Sequence, residues 1–291
     1  MVHHRAGRLP ALVRLPGTVP TNQWPVGRKG DGMTQWRRYV AVGDSFTEGL
    51  EDPGPDGRHL GWADRVARQL ATDSPDLEYA NLAIRGRLLD PILNEQLPRA
   101  VAMDPDLISI AGGVNDVLRP KWDLEAMIAS WDRGLGLARA GGATVVIVTF
   151  GQPANRSRVL GTVQDRLHAY RERLLALARQ HGCQVVDFWY APVFDDPRFW
   201  APDRLHLNSV GHERVSYAVL ESLGVATPDW LAPLPPEDTT SAAARLRSDA
   251  AWIGGHLAPW IGRRLVGRSS GDGITPKRPA PQPIDVDGLP A

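Results

Sequence analysis

The chain has 291 residues, of which 43% are hydrophobic and 23% are charged, a composition that suits a soluble globular protein with a proper core. Lys plus Arg and Asp plus Glu number 33 each, so the sequence indicates neither a basic field for nucleic acid nor an acidic solvating tail. The single cysteine, Cys183, excludes an internal disulfide and a cysteine-cluster zinc site.

The N-terminal part of the chain is rich in proline and glycine and has no periodicity. Residues 1–34 therefore predict a disordered arm, or else Met33 is the true start, since folded sequence begins directly after it. Proline and arginine interrupt the apolar residues here, which argues against a signal peptide. The sequence contains no run of about 18 apolar residues, so it predicts no membrane-spanning helix. We expect a cytoplasmic protein.

The central part of the chain alternates between two patterns. Apolar runs bounded by turn residues predict β-strands at residues 37–43, 77–83, 106–113, 143–150 and 183–189. Apolar residues at helical spacing predict helices at residues 60–72, 87–101, 123–140 and 161–181, and after Asn208. Continuously apolar strands that alternate with helices indicate a parallel sheet covered on both faces. The prediction is one three-layer α/β/α domain at residues 35–230.

The composition changes again beyond residue 230. Residues 231–291 predict a linker, a basic amphipathic segment and a disordered tail. In the basic segment, at residues 245–268, Ile253, Leu257 and Ile261 recur four positions apart among several arginines. We prefer docking of this segment on the main domain. The alternative is contact with a membrane surface or a lid-like role for an acyl ester substrate.

Small and polar residues stand where the predicted strands end. In an open parallel sheet, the carboxyl ends of the strands form the crevice in which ligands bind. The residues that we place at this edge are Ser45, Gly86, Asn115, Asp203 and His206. Ser45 taken alone could be a helix cap, but the convergence of the five residues favours a nucleophile.

Ester cleavage explains why these residue types belong together. A serine hydroxyl is a weak nucleophile at neutral pH and needs an adjacent base such as imidazole. Asp203 lies three residues before His206, so one turn can present both side chains and let the carboxylate hold the ring. The N–H groups of Ser45 and Gly86 and the side-chain amide of Asn115 would stabilise the negative charge on the carbonyl oxygen.

The order of these residues resembles the SGNH, or GDSL, hydrolase family. The first block is "GDSFTEG" with Ser45, the second is "NLAIRG" with Gly86, the third is "GGVND" with Asn115, and the last is "DRLH" with Asp203 and His206. A lone GDS would be weak, whereas four blocks in order, each at a strand end, are specific.

The resemblance covers residues 37 to about 223 and has consequences for fold and function. It implies a flavodoxin-like, five-stranded parallel sheet of order 2-1-3-4-5. It also implies a serine esterase, lipase or small-molecule or sugar deacetylase that forms an acyl-enzyme on Ser45, with no metal and no cofactor. The expected partner is a small-molecule ester. The competing interpretation is a non-catalytic ligand-binding domain that retains the hydrolase fold.

Three other residues are given structural roles. We predict that Cys183 is a buried, inert thiol and that Asp116 ties its loop by hydrogen bonds. His212 follows the last block, and we predict that it is a surface or capping residue of the final helix.

Overall fold

The computed structural model describes residues 35–54, 57–153, 161–236 and 271–284. The predictions for residues 1–34 and for the basic segment at 245–268 lie outside the described residues. Within the described ranges, strands and helices alternate as predicted for a three-layer α/β domain.

The centre of the protein is a six-stranded sheet. Its five parallel strands lie within the predicted runs and are β1 (Arg38–Val42), β2 (Glu78–Asn81), β3 (Leu107–Ile110), β4 (Thr144–Val148) and β5 (Gln184–Val186). These five have the predicted order 2-1-3-4-5. Tyr39 of β1 lies opposite Tyr79 of β2 and Leu107 of β3, so β1 is central. The chain leaves β1 at the point where the strand order reverses, which is where such sheets bind ligands.

The sixth strand corrects the predicted sheet. β6 (Arg278–Pro283) pairs antiparallel with β2 at the edge of the sheet, so the sheet is neither five-stranded nor wholly parallel. The prediction of a disordered tail is wrong for these residues. Their sequence, RPAPQP, indicates disorder by composition, yet prolines at every second position are compatible with an edge strand, which needs N–H donors on one side only.

Helices cover both faces of the sheet. In chain order they are α1 (Ser45–Glu48), α2 (Gly61–Asp73), α3 (Leu89–Pro91), a π-helical turn (Ile92–Gln96), α4 (Leu97–Val101), α5 (Val114–Val117), α6 (Leu124–Ala140), α7 (Gln164–Gln180) and α8 (Ser209–Ser222). Two short 3₁₀ turns, Pro192–Asp195 and Pro197–Phe199, lie between β5 and α8. In the part of the chain that the structure describes, none of the helices combines the length and hydropathy that a membrane span requires.

The core is divided into two layers by the sheet. Val40 and Ile108 belong to the layer formed with α3, α4, α6 and α7, while Tyr39 and Leu107 belong to the layer formed with α2 and α8. Successive strand residues point to opposite faces, so burial on both sides requires continuously apolar strands. Cys183 is buried in the first layer, as predicted.

Candidate active site

A tightly packed turn after β1 places Ser45 at the first position of α1. A Cβ atom on Gly43 would lie 2.4 Å from Thr47 Oγ1 and 2.7 Å from the Ala111 carbonyl oxygen, so the turn needs glycine at this position. Asp44 is the N-cap of α1, and its Oδ1 accepts a hydrogen bond from a backbone N–H of the first turn at 3.1 Å. The serine hydroxyl is therefore held at the carboxyl edge of the sheet.

Ser45, His206 and Asp203 form a continuous chain of hydrogen bonds. Ser45 Oγ lies 3.0 Å from His206 Nε2, and His206 Nδ1 lies 2.6 Å from Asp203 Oδ2. Asp203 Oδ1 accepts hydrogen bonds from the backbone N–H groups of Leu205 at 2.9 Å and His206 at 3.0 Å. Because Nδ1 donates to a carboxylate, Nε2 is left to accept the serine proton.

The surroundings of Asp203 favour its ionised form. Burial alone would raise the pKa of this carboxyl, but the hydrogen bonds and charge of His206 and the two backbone donors outweigh burial and lower the pKa. The side chains of His206 and Asp203 are only 19% and 18% exposed. An ionised Asp203 accepts the Nδ1 proton and so fixes the ring orientation.

Two backbone N–H groups at the site have no hydrogen-bond acceptor among the described residues. They belong to Ser45, at the start of α1, and to Gly86, in the loop that follows β2. Gly86 has a φ angle of 73°, a left-handed conformation that favours glycine. Both residues line the same cavity as His206, so their N–H groups are available to an anionic oxygen.

The third block places Asn115 and Asp116 on α5 with different partners. The Asn115 side-chain amide donates to Asp44 Oδ2 and to the Arg87 carbonyl oxygen, both at 3.0 Å. Asn115 thus lies at the site, but its amide must exchange one of these acceptors before it can donate to a substrate. Asp116 has its predicted loop-tying contact, since its Oδ2 accepts the Leu89 N–H at 2.9 Å, and burial raises its pKa to about 6.

Glu48, which the sequence analysis did not single out, fixes the loop that carries Gly86. This buried carboxylate accepts the Arg85 backbone N–H at 2.6 Å and Arg85 Nε at 2.9 Å, and it forms an ion pair with the same guanidinium group. α1 therefore carries both Ser45 and the acceptor that holds the residue next to Gly86. The available signals were an acidic residue in a turn of small residues and an arginine directly before the glycine of the second block.

His212 is not the surface or capping residue that was predicted. It is 1% exposed because α8 packs with this face against α2. Its Nδ1 accepts the Trp62 N–H and its Nε2 donates to the Leu50 carbonyl oxygen, both at 3.3 Å. Burial lowers the pKa of His212 to about 4, so the ring is neutral near pH 7. It joins α2 to the turn that follows α1.

All five predicted site residues line one cavity of about 650 Å³. Most of the remaining wall is apolar, and its aromatic members are Phe46, Phe150, Phe188, Phe194 and Trp200. A cavity of this size and character suits a ligand with a sizeable apolar group. Within the described ranges, no group of three or more His, Cys, Asp or Glu side chains is placed to hold a metal ion.

Comparison with known proteins identifies the family. The sequence model of the GDSL-like Lipase/Acylhydrolase family matches residues 41–214, which is more than half of the chain. A search of the curated proteins found no match.

Several solved structures share the fold. LAE5, an alpha/beta hydrolase enzyme from the metagenome of Lake Arreo, Spain, is 22% identical with a TM-score of 0.55, over 65% of this chain and 95% of its own. A catalytic mutant of Axe2, an acetylxylan esterase from Geobacillus stearothermophilus, is 20% identical with a TM-score of 0.55, over 67% and 95%. TesA is 25% identical with a TM-score of 0.52, over 64% and 97%. With the fold shared and more than half of its sequence matched, the chain belongs to the GDSL-like Lipase/Acylhydrolase family, as a hydrolase that acts on esters.

Proposed function

We propose that the chain is a serine esterase that cleaves a carboxylic ester through an acyl-enzyme on Ser45. The observation that carries this proposal is the hydrogen-bond chain from Asp203 through His206 to Ser45, with distances of 2.6 and 3.0 Å. A carboxylate, an imidazole and a hydroxyl connected in this way activate serine as a nucleophile. Membership of a family of ester hydrolases supports the same assignment.

In the first half-reaction, Ser45 Oγ attacks the ester carbonyl carbon while His206 Nε2 takes the hydroxyl proton. The ionised Asp203 stabilises the imidazolium that forms. His206 then gives the proton to the alcohol oxygen, the bond between the carbonyl carbon and that oxygen breaks, and the acyl group stays on Ser45. In the second half-reaction, His206 activates a water molecule that releases the acid and restores the serine.

The tetrahedral intermediate carries a negative charge on the former carbonyl oxygen. The N–H groups of Ser45 and Gly86 supply two donors for this oxygen, since neither has an acceptor among the described residues. Asn115 supplies the third donor when its amide exchanges the Arg87 carbonyl oxygen or Asp44 for the substrate. Loss of one such donor typically costs about 10²–10³ in rate.

The acyl group of the substrate is a chain of several carbons, as in lipase-like esters. The cavity of about 650 Å³ far exceeds the space that an acetyl group fills, and its wall is mostly apolar. Each additional methylene buried there adds about 0.8 kcal/mol of favourable transfer free energy. A deacetylase for a small molecule or a sugar is the alternative within the same chemistry.

Labelling and turnover test the nucleophile. We expect a fluorophosphonate to label the protein on Ser45 and p-nitrophenyl acetate to give a burst of p-nitrophenol. Ser45→Ala should lose both, while Ser130→Ala, a change on the surface of α6, should keep both. Unimpaired turnover by Ser45→Ala would refute the assignment. A folded wild-type protein that neither reacts with the fluorophosphonate nor turns over would favour the non-catalytic binding domain.

A series of p-nitrophenyl esters tests the acyl chain. We expect kcat/KM to rise from acetate to esters of medium chain length, by a factor of about 4 for each methylene that is fully buried. A kcat/KM that is highest for acetate and falls with chain length would favour the deacetylase.

A further inference from the structure

Residues 271–284, the C-terminal segment, contact the loop of the second block. Gly271 is buried, and a Cβ atom on it would lie 2.1 Å from the Arg85 carbonyl oxygen and 2.8 Å from Ile84 Cγ2. The Arg85 carbonyl and the Gly86 N–H belong to the same peptide group. Because a trans peptide is planar, a contact that fixes its carbonyl oxygen also fixes the opposite direction of its N–H.

The same segment inserts a buried lysine at the start of α2. Lys277 Nζ donates to the carbonyl oxygens of His59 at 2.9 Å and Leu60 at 2.7 Å, and it lies 3.1 Å from Asp64 Oδ1. The side chains of Lys277 and Asp64 are only 10% and 6% exposed. A buried ammonium group is tolerated only when it is paired and hydrogen-bonded, so these three oxygens specify how residues 271–284 dock.

The loop that Lys277 holds supports the end of α1. Leu60 is the N-cap of α2, and the next residue, Gly61, packs against Gly49, the C-cap of α1. A Cβ atom on Gly61 would lie 2.4 Å from Gly49 Cα, so the two backbones are in direct contact. The C-terminal segment thus contacts the peptide that carries the Gly86 N–H directly, and it reaches the element that carries Ser45 through the start of α2.

We propose that Gly271 and Lys277 are positioning residues for the ester-cleaving site. Gly271 holds the Arg85–Gly86 peptide, and Lys277 holds the loop that packs against the C-terminal end of α1. Together they keep the Gly86 N–H and Ser45 in a fixed relative position. The C-terminal segment therefore contributes to transition-state stabilisation without touching the substrate. This inference rests on the proposed function, in which Gly86 is a donor to the oxyanion.

Gly271→Ala in the full-length protein tests this inference, with Gly141→Ala as the matched control. Neither glycine has a left-handed φ angle, and a Cβ atom on Gly141 meets nothing within 4 Å. We measure kcat and KM with a p-nitrophenyl ester. A fluorophosphonate, left to react to completion, counts the active sites, and the rate is divided by that number. Partial folding would lower the number of labelled sites but not the kcat per labelled site, so it is separated from misplacement of the donor.

We expect Gly271→Ala to lower kcat per labelled site by at least about fivefold relative to Gly141→Ala, because a displaced donor loses part of the 10²–10³ that a whole donor contributes. A smaller reduction would overturn the inference. If Gly271→Ala yields no labelled protein, Lys277→Met is compared with Lys121→Met, a change at an exposed lysine, and judged by the same threshold.

Ser45→Ala separates this inference from the proposed function. Turnover that persists in Ser45→Ala would refute the nucleophile and with it the positioning role. An inactive Ser45→Ala together with a full rate per site in Gly271→Ala would remove only the positioning role.

Discussion

The two carboxylate oxygens of Asp203 have different partners, and this difference makes a substitution informative. Oδ1 accepts two backbone N–H groups, while Oδ2 lies against His206 Nδ1. Asp203→Asn can keep the first set of bonds but turns an NH2 group toward Nδ1. The ring must then carry its proton on Nε2, which can no longer accept the proton of Ser45.

We therefore expect Asp203→Asn to lower kcat by about 10³–10⁴ while KM changes little, as loss of the correct imidazole tautomer does in related triads. Steady-state kinetics on an activated ester measures this effect, with Asp76→Asn at an exposed position as the control. A kcat within tenfold of wild type would mean that Asp203 does not orient His206.

His212 couples stability to pH. Burial lowers its pKa to about 4 from the ordinary 6.5, so the unfolded chain binds a proton that the native protein does not between these pH values. Stability from this group is complete above pH 6.5 and is lost as the pH falls toward 4, by about 1.4 kcal/mol for each pH unit. Asp116, whose pKa is raised to about 6, contributes stability that increases as the pH falls through nearly the same pH range. Only a comparison of variants therefore isolates the contribution of His212.

The comparison is between the wild type and His212→Asn, whose side-chain oxygen can still accept the Trp62 N–H. We expect the free energy of unfolding, measured with urea at pH 7.0 and pH 5.0, to fall less with acidification in His212→Asn than in the wild type. Equal falls in the two proteins would show that the ring does not titrate in this window.

At the scale of elements, α1 and the loop after β2 act as one unit through Glu48 and Arg85. Glu48→Gln keeps the shape of the side chain but removes the charge that pairs with the guanidinium group. We expect kcat to fall by about tenfold with KM nearly unchanged, because a looser Gly86 peptide loses part of a donor worth about 10²–10³. Glu95→Gln, at an exposed site, is the control for kinetics. Equal kcat values would assign Glu48 to stability alone.

The strands and helices of the central domain could be predicted because their patterns depend on local burial. Strands covered on both faces are continuously apolar, and helices repeat their apolar residues at helical spacing. β6 could not be predicted, since RPAPQP has no apolar alternation and an edge strand is specified by its partner, β2. Its anchor, Lys277, reads in the sequence as an ordinary charged residue, and only the fold brings Asp64 to it.

The candidate site was predictable to a similar extent. Ser45, Asp203 and His206 meet because each follows a strand of a parallel sheet, and the ends of such strands share one edge. The acceptors of the Asn115 amide depend on how α5 faces the turn after β1, which no local pattern specifies. The burial of His212 likewise depends on the contact between α8 and α2, so its neighbours in sequence gave no signal.

At the scale of the whole molecule, the sheet is built from two parts of the sequence. β1 to β5 come before residue 237, and β6 comes after residue 270. The predicted domain was residues 35–230, and residues 271–284 add an edge strand and a buried lysine to it. A chain that ended near residue 232 would lose these contacts together with the basic segment at 245–268. Any test of that segment therefore has to keep β6 in place.

The preferred role of the basic segment, docking on the main domain, stays a prediction that charge substitution in the full chain can test. Each basic side chain near an anionic membrane surface contributes about 1 kcal/mol, so replacing Arg263, Arg264 and Arg268 by Gln would weaken vesicle binding by about 100-fold if the segment lay on the membrane. Docking instead predicts equal binding of both proteins to vesicles that contain phosphatidylserine, measured by co-sedimentation at low salt. Both proteins keep β6 and Lys277, so a difference in vesicle binding cannot come from loss of the contacts that residues 271–284 make with the domain. A 100-fold difference would establish the membrane-surface contact and reject docking.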